Sequence, residues 1–593
     1  MPEFAVTARR LVAGNAQGEL LYADVGLSFW GGVDPFSGEV IDRHHPLSGQ
    51  VIAGRVLAIP SGRGSCTGSS VLLELILNGH APAALVVAHP EEILSLGVLI
   101  AQTLFDCGLP VVCIGAEAFS RLHDCAFVRV ADDRVSAFSQ SPADNWQATT
   151  PDTRATQWAT GPIALNDSDR DLLAGKHGKA AQVAMQIVLQ MAELQGAGEL
   201  IDISQAHIDG CIYTGPASLR FAEQLLAWGA AVKVPTTLNS ISVDQRLWRQ
   251  QGIDPAFGEP ASQLGEAYMA MGAQLSYTCA PYLLDSAPQA NEQVVWAESN
   301  AVVYANSVLG ARTQKYPDYL DICIALTGRA PLTGCHLDAG RLATLQIEVA
   351  PLGPLDDAFY PLLGYHVGAL SGSQIPVLNG LQNAAPTRDD LKAFGAAFAT
   401  TSGAPMFHIA GVTPEAASIE QALGGLPPLH IATVSAAGLL DSWNELNSAP
   451  SPQLGLVALG NPHFSLSEFA ALAALCEGRS KHPDVALVIT CGRHVQQQAS
   501  AAGYLATLDV FGAQLVTDTC WCMLGEPVLP VSTSSLMTNS GKYAHYAPGL
   551  VGRTVHFDSL AACVAAACRG FVSGELPAWL SQAHQPREKL RDV

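Results

Sequence analysis

The sequence predicts an α/β protein in two parts, a small N-terminal β/α domain followed by a large, multi-lobed α/β region. Three observations carry this. Short runs rich in Val, Ile and Leu alternate with longer runs of helical apolar period, which is the pattern of largely parallel sheets with buried strands. A polar stretch at 136–162, with Ser139-Gln140-Ser141-Pro142 and Thr149-Thr150-Pro151-Asp152, has the composition of an exposed connection. The length, 593 residues, is more than one hydrophobic core can hold. The expected division is a small domain at 1–145, a linker at 146–162 and a large domain at 163–593.

In the small domain, strands are expected at 53–59, 84–88 and 110–114, and helices at 69–77 and 97–107. Between the first strand and the first helix lies Ser61-Gly62-Arg63-Gly64-Ser65-Cys66-Thr67-Gly68-Ser69-Ser70. Its glycines allow close backbone approach to a ligand. The helix that follows would aim its free N–H groups at an anion in the loop. Arg63 adds a forked cation, and Ser65 a hydroxyl placed to act on the bound group. The competing reading is a loop of helix-capping residues, and a lone Gly/Ser loop does not separate the two.

In the large domain, helices are expected at 180–195, 216–228 (with Pro216 at its first turn) and 261–274. Strands are expected at 208–213, 231–234 and 275–278, the last ending at Cys279. Further strands at 454–459, 486–489 and 514–516 lead to Asn461, to Thr490-Cys491 and to Cys520. Sites in parallel α/β sheets gather beyond the carboxyl ends of strands. A single cysteine there is best read as a small buried hydrophobe. Several on separate loops make an iron–sulfur site plausible. Two polar constellations accompany them, one from Glu298 through Asn300 and Ser307 to Arg312, the other from Thr538 through Lys542 to His545 and Tyr546. Each reads as a buried hydrogen-bonded network or as a substrate clamp. His463, ahead of a Ser465-x-x-Glu468 capping pattern, is equally open.

Composition bounds the partners. Hydrophobic residues are 49% and charged residues 14%, so the chain is globular. Lys and Arg number 31 against 53 Asp and Glu, a net charge of −22. That argues against a nucleic-acid or anionic-membrane partner. Met1-Pro2-Glu3-Phe4-Ala5 carries an early acid and no apolar core like that of a secretory leader. The most apolar stretch, 81–115, is broken by His89, Glu91, Glu92, Asp106 and Gly108 and does not read as a spanning helix. A cytoplasmic monomer with 14 reduced cysteines is expected. No CxxC pair occurs, which removes zinc-ribbon and thioredoxin readings.

Several long motifs together resemble one family. The segment SGRGSCTGSS resembles the swivelling-domain signature of aconitase X. TCAPY, ESNAVVYANSVLGART, GNPHFS, DTC and TNSGKYAHY resemble signatures of its large domain, in the same order. The resemblance covers nearly the whole chain. It implies a swivelling β/α domain ahead of an aconitase-like α/β domain, and a hydro-lyase that uses an iron–sulfur cluster. The fused single-chain branch implies cis-3-hydroxy-L-proline as substrate, a hydroxy amino acid, and 1-pyrroline-2-carboxylate as product. The two-chain branch, acting on mevalonate 5-phosphate, carries Gly-Cys-Pro-His where this chain has Gly460-Asn461-Pro462-His463. The missing thiolate implies a [2Fe–2S] centre held by Cys279 and Cys520, with the further ligand open between Asn461, Cys522 and a water. The resemblance also makes Ser65 the catalytic base. Arg63, Gly64, Asn300, Ser307, Arg312, Lys542 and His545 are candidate substrate contacts. Two alternatives stay open: a dehydratase of another hydroxy acid, and an iron–sulfur regulator or RNA-binding protein.

Overall fold

Residues 4–138 build one eight-stranded sheet in the order Phe4–Thr7, Arg134–Phe138, Phe127–Ala131, Asn15–Tyr22, Val56–Ile59, Ala84–Val87, Val111–Cys113 and Arg9–Val12. In this computed structural model, residues 2–143, 146, 163–350 and 353–584 are described. The connection expected at 146–162 lies, Trp146 apart, outside them. Three successive pairs, from Asn15–Tyr22 to Val111–Cys113, are parallel; the flanking pairs are antiparallel. The central strands are buried on both faces because alternate side chains leave opposite sides of a strand. Leu57, Ile59, Leu85 and Val87 fill one core, while Val56, Ala58, Ala84 and Val86 fill the other.

Local chemistry moves several boundaries. The first expected strand starts only at Val56, because Gly54 sits in a turn with φ +70°. The second helix starts earlier than its apolar period, at Ile93, since the Glu91 carboxylate accepts from Leu94 N at 2.7 Å. It stops at Phe105, where Asp106 turns left-handed.

Among the described residues the large domain carries three wholly parallel sheets and one antiparallel pair, Arg329–Pro331 with Leu200–Asp202. The parallel sheets run Thr236–Leu238, Ala206–Ile208, Val295–Trp296; then His408–Ile409, Pro376–Asn379, Leu345–Val349, His430–Val434; and Gln514–Thr517, Ala486–Cys491, Leu456–Leu459, Ser535–Thr538, Thr554–Phe557. Helices form at Lys179–Leu194, Pro216–Ala227 and Pro255–Ala270. The last begins before the expected 261 because Asp254 caps it through Ala256 N.

Three expected strands are corrected. Residues 231–234 form none: Val232 N donates to Met271 O and Lys233 N to Ala325 O, both at helix ends. The strand expected at 208–213 is Ala206–Ile208; beyond it the backbone turns so that Asp209 N and Gly210 N meet the Asp321 carboxylate. Residues 275–278 run beside Thr236–Leu238, but the Ser276 hydroxyl takes Leu238 N at 2.7 Å and Tyr277 has φ +37°, so no ladder forms. Cys491 lies inside its strand, buried with Leu487 and Ile489 in an apolar cluster, rather than beyond its end.

One apolar core crosses the junction between the two parts, with Leu72 and Leu75 in the same cluster as Ala217 and Phe221. The polar side chains of the small domain's first helix, Gly68–Leu77, also face the large domain. Ser70 Oγ donates to Asp318 Oδ2 at 2.7 Å, and Glu74 Oε2 accepts from Ala217 N at 2.8 Å. Among the described residues no helix is long and apolar enough to cross a membrane.

Candidate active site

Loops from separate sheets converge on a buried cluster of Cys279, Cys520, Cys522 and Tyr546. Cys279 follows the irregular ribbon beside Thr236–Leu238. Asn461 follows the strand Leu456–Leu459, and Cys520 and Cys522 follow Gln514–Thr517. Each loop is pinned from behind. Asp518 opens the cysteine loop at φ +69°, held by Arg493 through Nε–Oδ1 at 2.6 Å and Nη2–Oδ2 at 2.7 Å. Trp521, fully buried, donates from Nε1 to Leu459 O at 2.8 Å.

His463 ties two loops together. Its backbone N–H points at Cys279 Sγ, 3.3 Å away, and its Nε2 lies 2.8 Å from Thr519 O. A carbonyl only accepts, so Nε2 carries the proton and Nδ1 accepts from Thr278 Oγ1 at 3.1 Å. Burial pulls its pKa down to about 4, so the ring stays neutral and acts as a strut.

The Cys520 thiol is flanked by those of Cys279 and Cys522. The Cys279 thiol and burial push it up to about 12. Cys522 is raised too, by Cys520 and then by burial. Crowding and burial thus oppose ionisation of Cys520 and Cys522, and a bound cation displaces their protons. Asn461 adds a neutral donor: its Nδ2 lies 3.2 Å from Cys522 Sγ, while its Oδ1 is buried with no partner among the described residues. This donor set fits an iron–sulfur centre, with thiolates from separate loops and one oxygen still unsatisfied.

Beside the thiols Lys542 is buried and paired with Glu298, Nζ to Oε1 at 2.8 Å. Burial pulls its pKa down, but Glu298 and the cysteines more than offset that, and the ammonium persists. Asn300 braces the Cys279 loop: Nδ2 donates to Cys279 O at 3.0 Å and Oδ1 accepts from Tyr282 OH at 2.8 Å. His545 shares a hydrogen bond with Tyr365 OH at 2.9 Å and stacks on His44; burial takes its pKa down to about 3. Two expected contacts are drawn elsewhere. Ser307 Oγ accepts from Phe407 N at 2.9 Å. Arg312 is engaged by His336 O, Asn291 and the exposed carboxylate of Asp338. Neither hydrogen-bonds to the thiols, to Lys542 or to the Ser65 loop.

The small-domain loop closes over this centre. Gly64 has φ +77°, and a Cβ there would lie 2.8 Å from Ser28 Oγ and 3.0 Å from Tyr546 OH. Gly64→Ala therefore costs about 1–2 kcal/mol in backbone strain and lifts the loop off Tyr546. We expect turnover to fall roughly 10²-fold for a displacement near 1 Å, with iron content unchanged. Steady-state kinetics and iron analysis on one preparation check this. Arg63 is held by Asp42, Nη2 to Oδ2 at 2.9 Å, and lines a cleft of about 300 Å³ with Gly64, Glu92, Lys315 and Pro405.

Ser65 is not the helix cap; Thr67 occupies that position. The helix also does not offer all its first-turn N–H groups to the loop, since Ser65 O and Thr67 O accept from Gly68 N and Ser70 N. The Ser65 hydroxyl donates to Thr67 Oγ1 at 3.0 Å, and Thr67 Oγ1 donates to Asp209 Oδ2 at 3.1 Å. Asp209, Asp318 and Asp321 form a wholly buried acidic group behind the loop. Burial raises Asp209 to about 7 and Asp321 to about 6, and Asp318 well above the carboxylate range. Sequence reasoning missed this group. Each acid reads locally as a turn residue, and no spacing links 209 to 318.

The chain matches the aconitase X swivel domain over 5–137, and the first, second and third aconitase X domains over 162–339, 343–444 and 454–569. It is 61% identical over 577 residues to the cis-3-hydroxy-L-proline dehydratase of Pseudomonas aeruginosa, covering 97% of this chain and 99% of the relative. It is 53% identical to the enzyme of the same name from Hypocrea jecorina, over 96% of each. The solved structure of Thermococcus kodakaraensis aconitase X in its holo-form superposes with a TM-score of 0.61 at 30% identity, covering 68% of this chain and all of that one. The curated relatives are dehydratases, and this chain is a hydro-lyase. With an N-terminal swivel domain on a mixed α/β body, it belongs to the aconitase X family, which is typically iron–sulfur dependent.

Proposed function

We propose that the protein dehydrates cis-3-hydroxy-L-proline to 1-pyrroline-2-carboxylate. The observation that carries this reading is the closure of the Ser65 loop, through Gly64 and Tyr546, onto a buried three-thiol centre. A dehydratase of a 3-hydroxy amino acid needs a base at C2 and an electron-withdrawing group at the 3-hydroxyl, held on one substrate. The identity to relatives named for this substrate supports the assignment.

Cys279 and Cys520, with Asn461 or Cys522, would hold a [2Fe–2S] centre. When bound, it supplies Lewis acidity toward the departing hydroxyl. The remaining work falls to the chain itself. Ser65 takes the C2 proton. Arg63 and Lys542 offer cations for the substrate carboxylate, and they stabilise the charge that builds on it as the C–H bond breaks. His545, neutral and held by Tyr365, offers its ring to the imino acid. The closed loop keeps bulk water from the developing carbanion. Loss of water gives an enamine acid, which tautomerises to the pyrroline.

The test is incubation of purified protein with each hydroxyproline isomer and detection of pyrroline carboxylate. Turnover of the cis-3 isomer in clear preference to the trans forms is expected, because base and leaving group must be addressed together. Equal turnover of cis and trans isomers, or turnover only of a phosphorylated hydroxy acid, would overturn the assignment.

A further inference from the structure

We infer that Thr67 and Asp209 form a proton relay behind Ser65, receiving the serine's own proton as it takes the one from the substrate. The inference rests on the reading of Ser65 as the base and extends it across the domain junction, since Asp209 belongs to the large domain. Geometry carries it. Ser65 Oγ, Thr67 Oγ1 and Asp209 Oδ2 form a continuous chain of two hydrogen bonds, 3.0 and 3.1 Å, each hydroxyl donating toward the carboxylate. Thr67 N also donates to Ser65 Oγ at 3.3 Å, which fixes the serine's orientation. Thr67 and Asp209 are 1% exposed, so the path is shielded from bulk water.

The groups around Asp209 suit it to receive a proton. Burial, with the charges of Glu298 and Asp321, raises its pKa to about 7; the Asn239 hydrogen bond and Lys542 lower it. Asp318 is raised by burial and by Asp209 and Asp321, and its Oδ2 accepts from Ser70 Oγ at 2.7 Å. Asp209 is thus poised between its two states at neutral pH, where a proton acceptor works best.

The step balances. The C2–H electron pair becomes the C2–C3 π bond, and the C3–O bond breaks with its pair on oxygen. The C2 proton bonds to Ser65 Oγ as the Ser65 proton passes to Thr67 Oγ1 and the Thr67 proton to Asp209. Returned by the reverse path to the departing hydroxide, that proton completes water and restores the carboxylate. No free serine alkoxide forms, which removes the difficulty of using a hydroxyl as a base near pH 7. Thr67 and Asp209 are positioning residues here, acting only through Ser65.

The experiment compares Thr67→Val, Thr67→Ser and Asp209→Asn with wild type on cis-3-hydroxy-L-proline. Thr67→Val and Asp209→Asn should lower kcat by roughly 10²-fold or more, with KM little changed and iron content retained. Thr67→Ser should recover most of what Thr67→Val loses. In wild type kcat should rise with pH through about 7 as Asp209 becomes free to accept; in Asp209→Asn that limb should vanish. A kcat for Thr67→Val within about threefold of wild type, against the 10²–10⁴-fold of a working base, would overturn the relay. So would an unchanged limb in Asp209→Asn, which decides alone if Thr67→Val does not fold. Labelling of Ser65 by phenylmethylsulfonyl fluoride gives a readout that needs no substrate, and equal rates in wild type and Thr67→Val would also refute the relay. If wild type turns over no hydroxyproline, the substrate assignment fails and the labelling rates still decide the relay.

Discussion

Ser65→Ala is expected to yield a folded, iron-loaded and nearly inactive protein. A positioned base contributes roughly 10²–10⁴-fold, and turnover should fall by at least that order. The competing role, an N-cap or loop hydroxyl worth about 0.5–2 kcal/mol, predicts instead an active enzyme that melts earlier. Thr67 occupies the cap position of Gly68–Leu77 without a side-chain cap bond, and the Ser65 hydroxyl accepts from Thr67 N at 3.3 Å. Among the described residues the Ser65 side chain has two partnerships, both with Thr67, and Ala removes both. Stability should therefore drop only modestly. Turnover, visible absorbance of the cluster and melting temperature, measured on one preparation, separate the two roles. Near-normal turnover with a lowered melting temperature would remove Ser65 from the chemistry.

The second large effect is at the thiols. Cys279→Ala and Cys520→Ala should each strip or badly weaken the iron–sulfur chromophore and abolish activity, because alanine offers no ligand. Neither change opens a large cavity, so the fold should survive, and far-ultraviolet circular dichroism would confirm it. Iron content and the visible spectrum of freshly purified variants are the measurements. Full iron content in both would mean that the two cysteines are only packed against Tyr546. Cys522→Ala and Asn461→Ala, run alongside, distinguish the remaining ligand, since each is within contact of the other.

The buried strands were the easiest part of the fold to read. Leu456–Leu459, Ala84–Val87 and Val111–Cys113 are unbroken apolar runs bounded by turn residues, and each forms close to its expected place. The misses share a cause. At 231–234 and 275–278 the side chains suit a strand, but the backbone partners are helix ends or a serine hydroxyl, which pattern alone does not reveal. The convergence of Cys279 and Cys520 was readable because both lie beyond strand-like segments, where parallel sheets place their sites. The same logic promoted Cys491, which is core. Arg312 and Ser307 show what a motif leaves out: their side chains are engaged by a carbonyl and an amide of neighbouring loops, partners that only the fold brings near. Asp209 was invisible because its meaning depends on Thr67, 142 positions away.

The first helix of the swivel domain has a mechanical consequence. Thr67, Ser69, Ser70 and Glu74 all make buried polar contacts with the large domain, to Asp209, to Asp318 and to the amide of Ala217. Rotating the domain away would trade each of these hydrogen bonds for hydration, at about 0.5–1.5 kcal/mol apiece, and would expose a shared apolar core to water. Domain opening along this face therefore carries a cost in apolar burial and in four polar contacts. The cleft beside Arg63 and Lys315 reaches the Ser65 loop without crossing these contacts. Fusion in one chain thus keeps at a fixed high local concentration two parts whose contact builds the Thr67–Asp209 hydrogen bond.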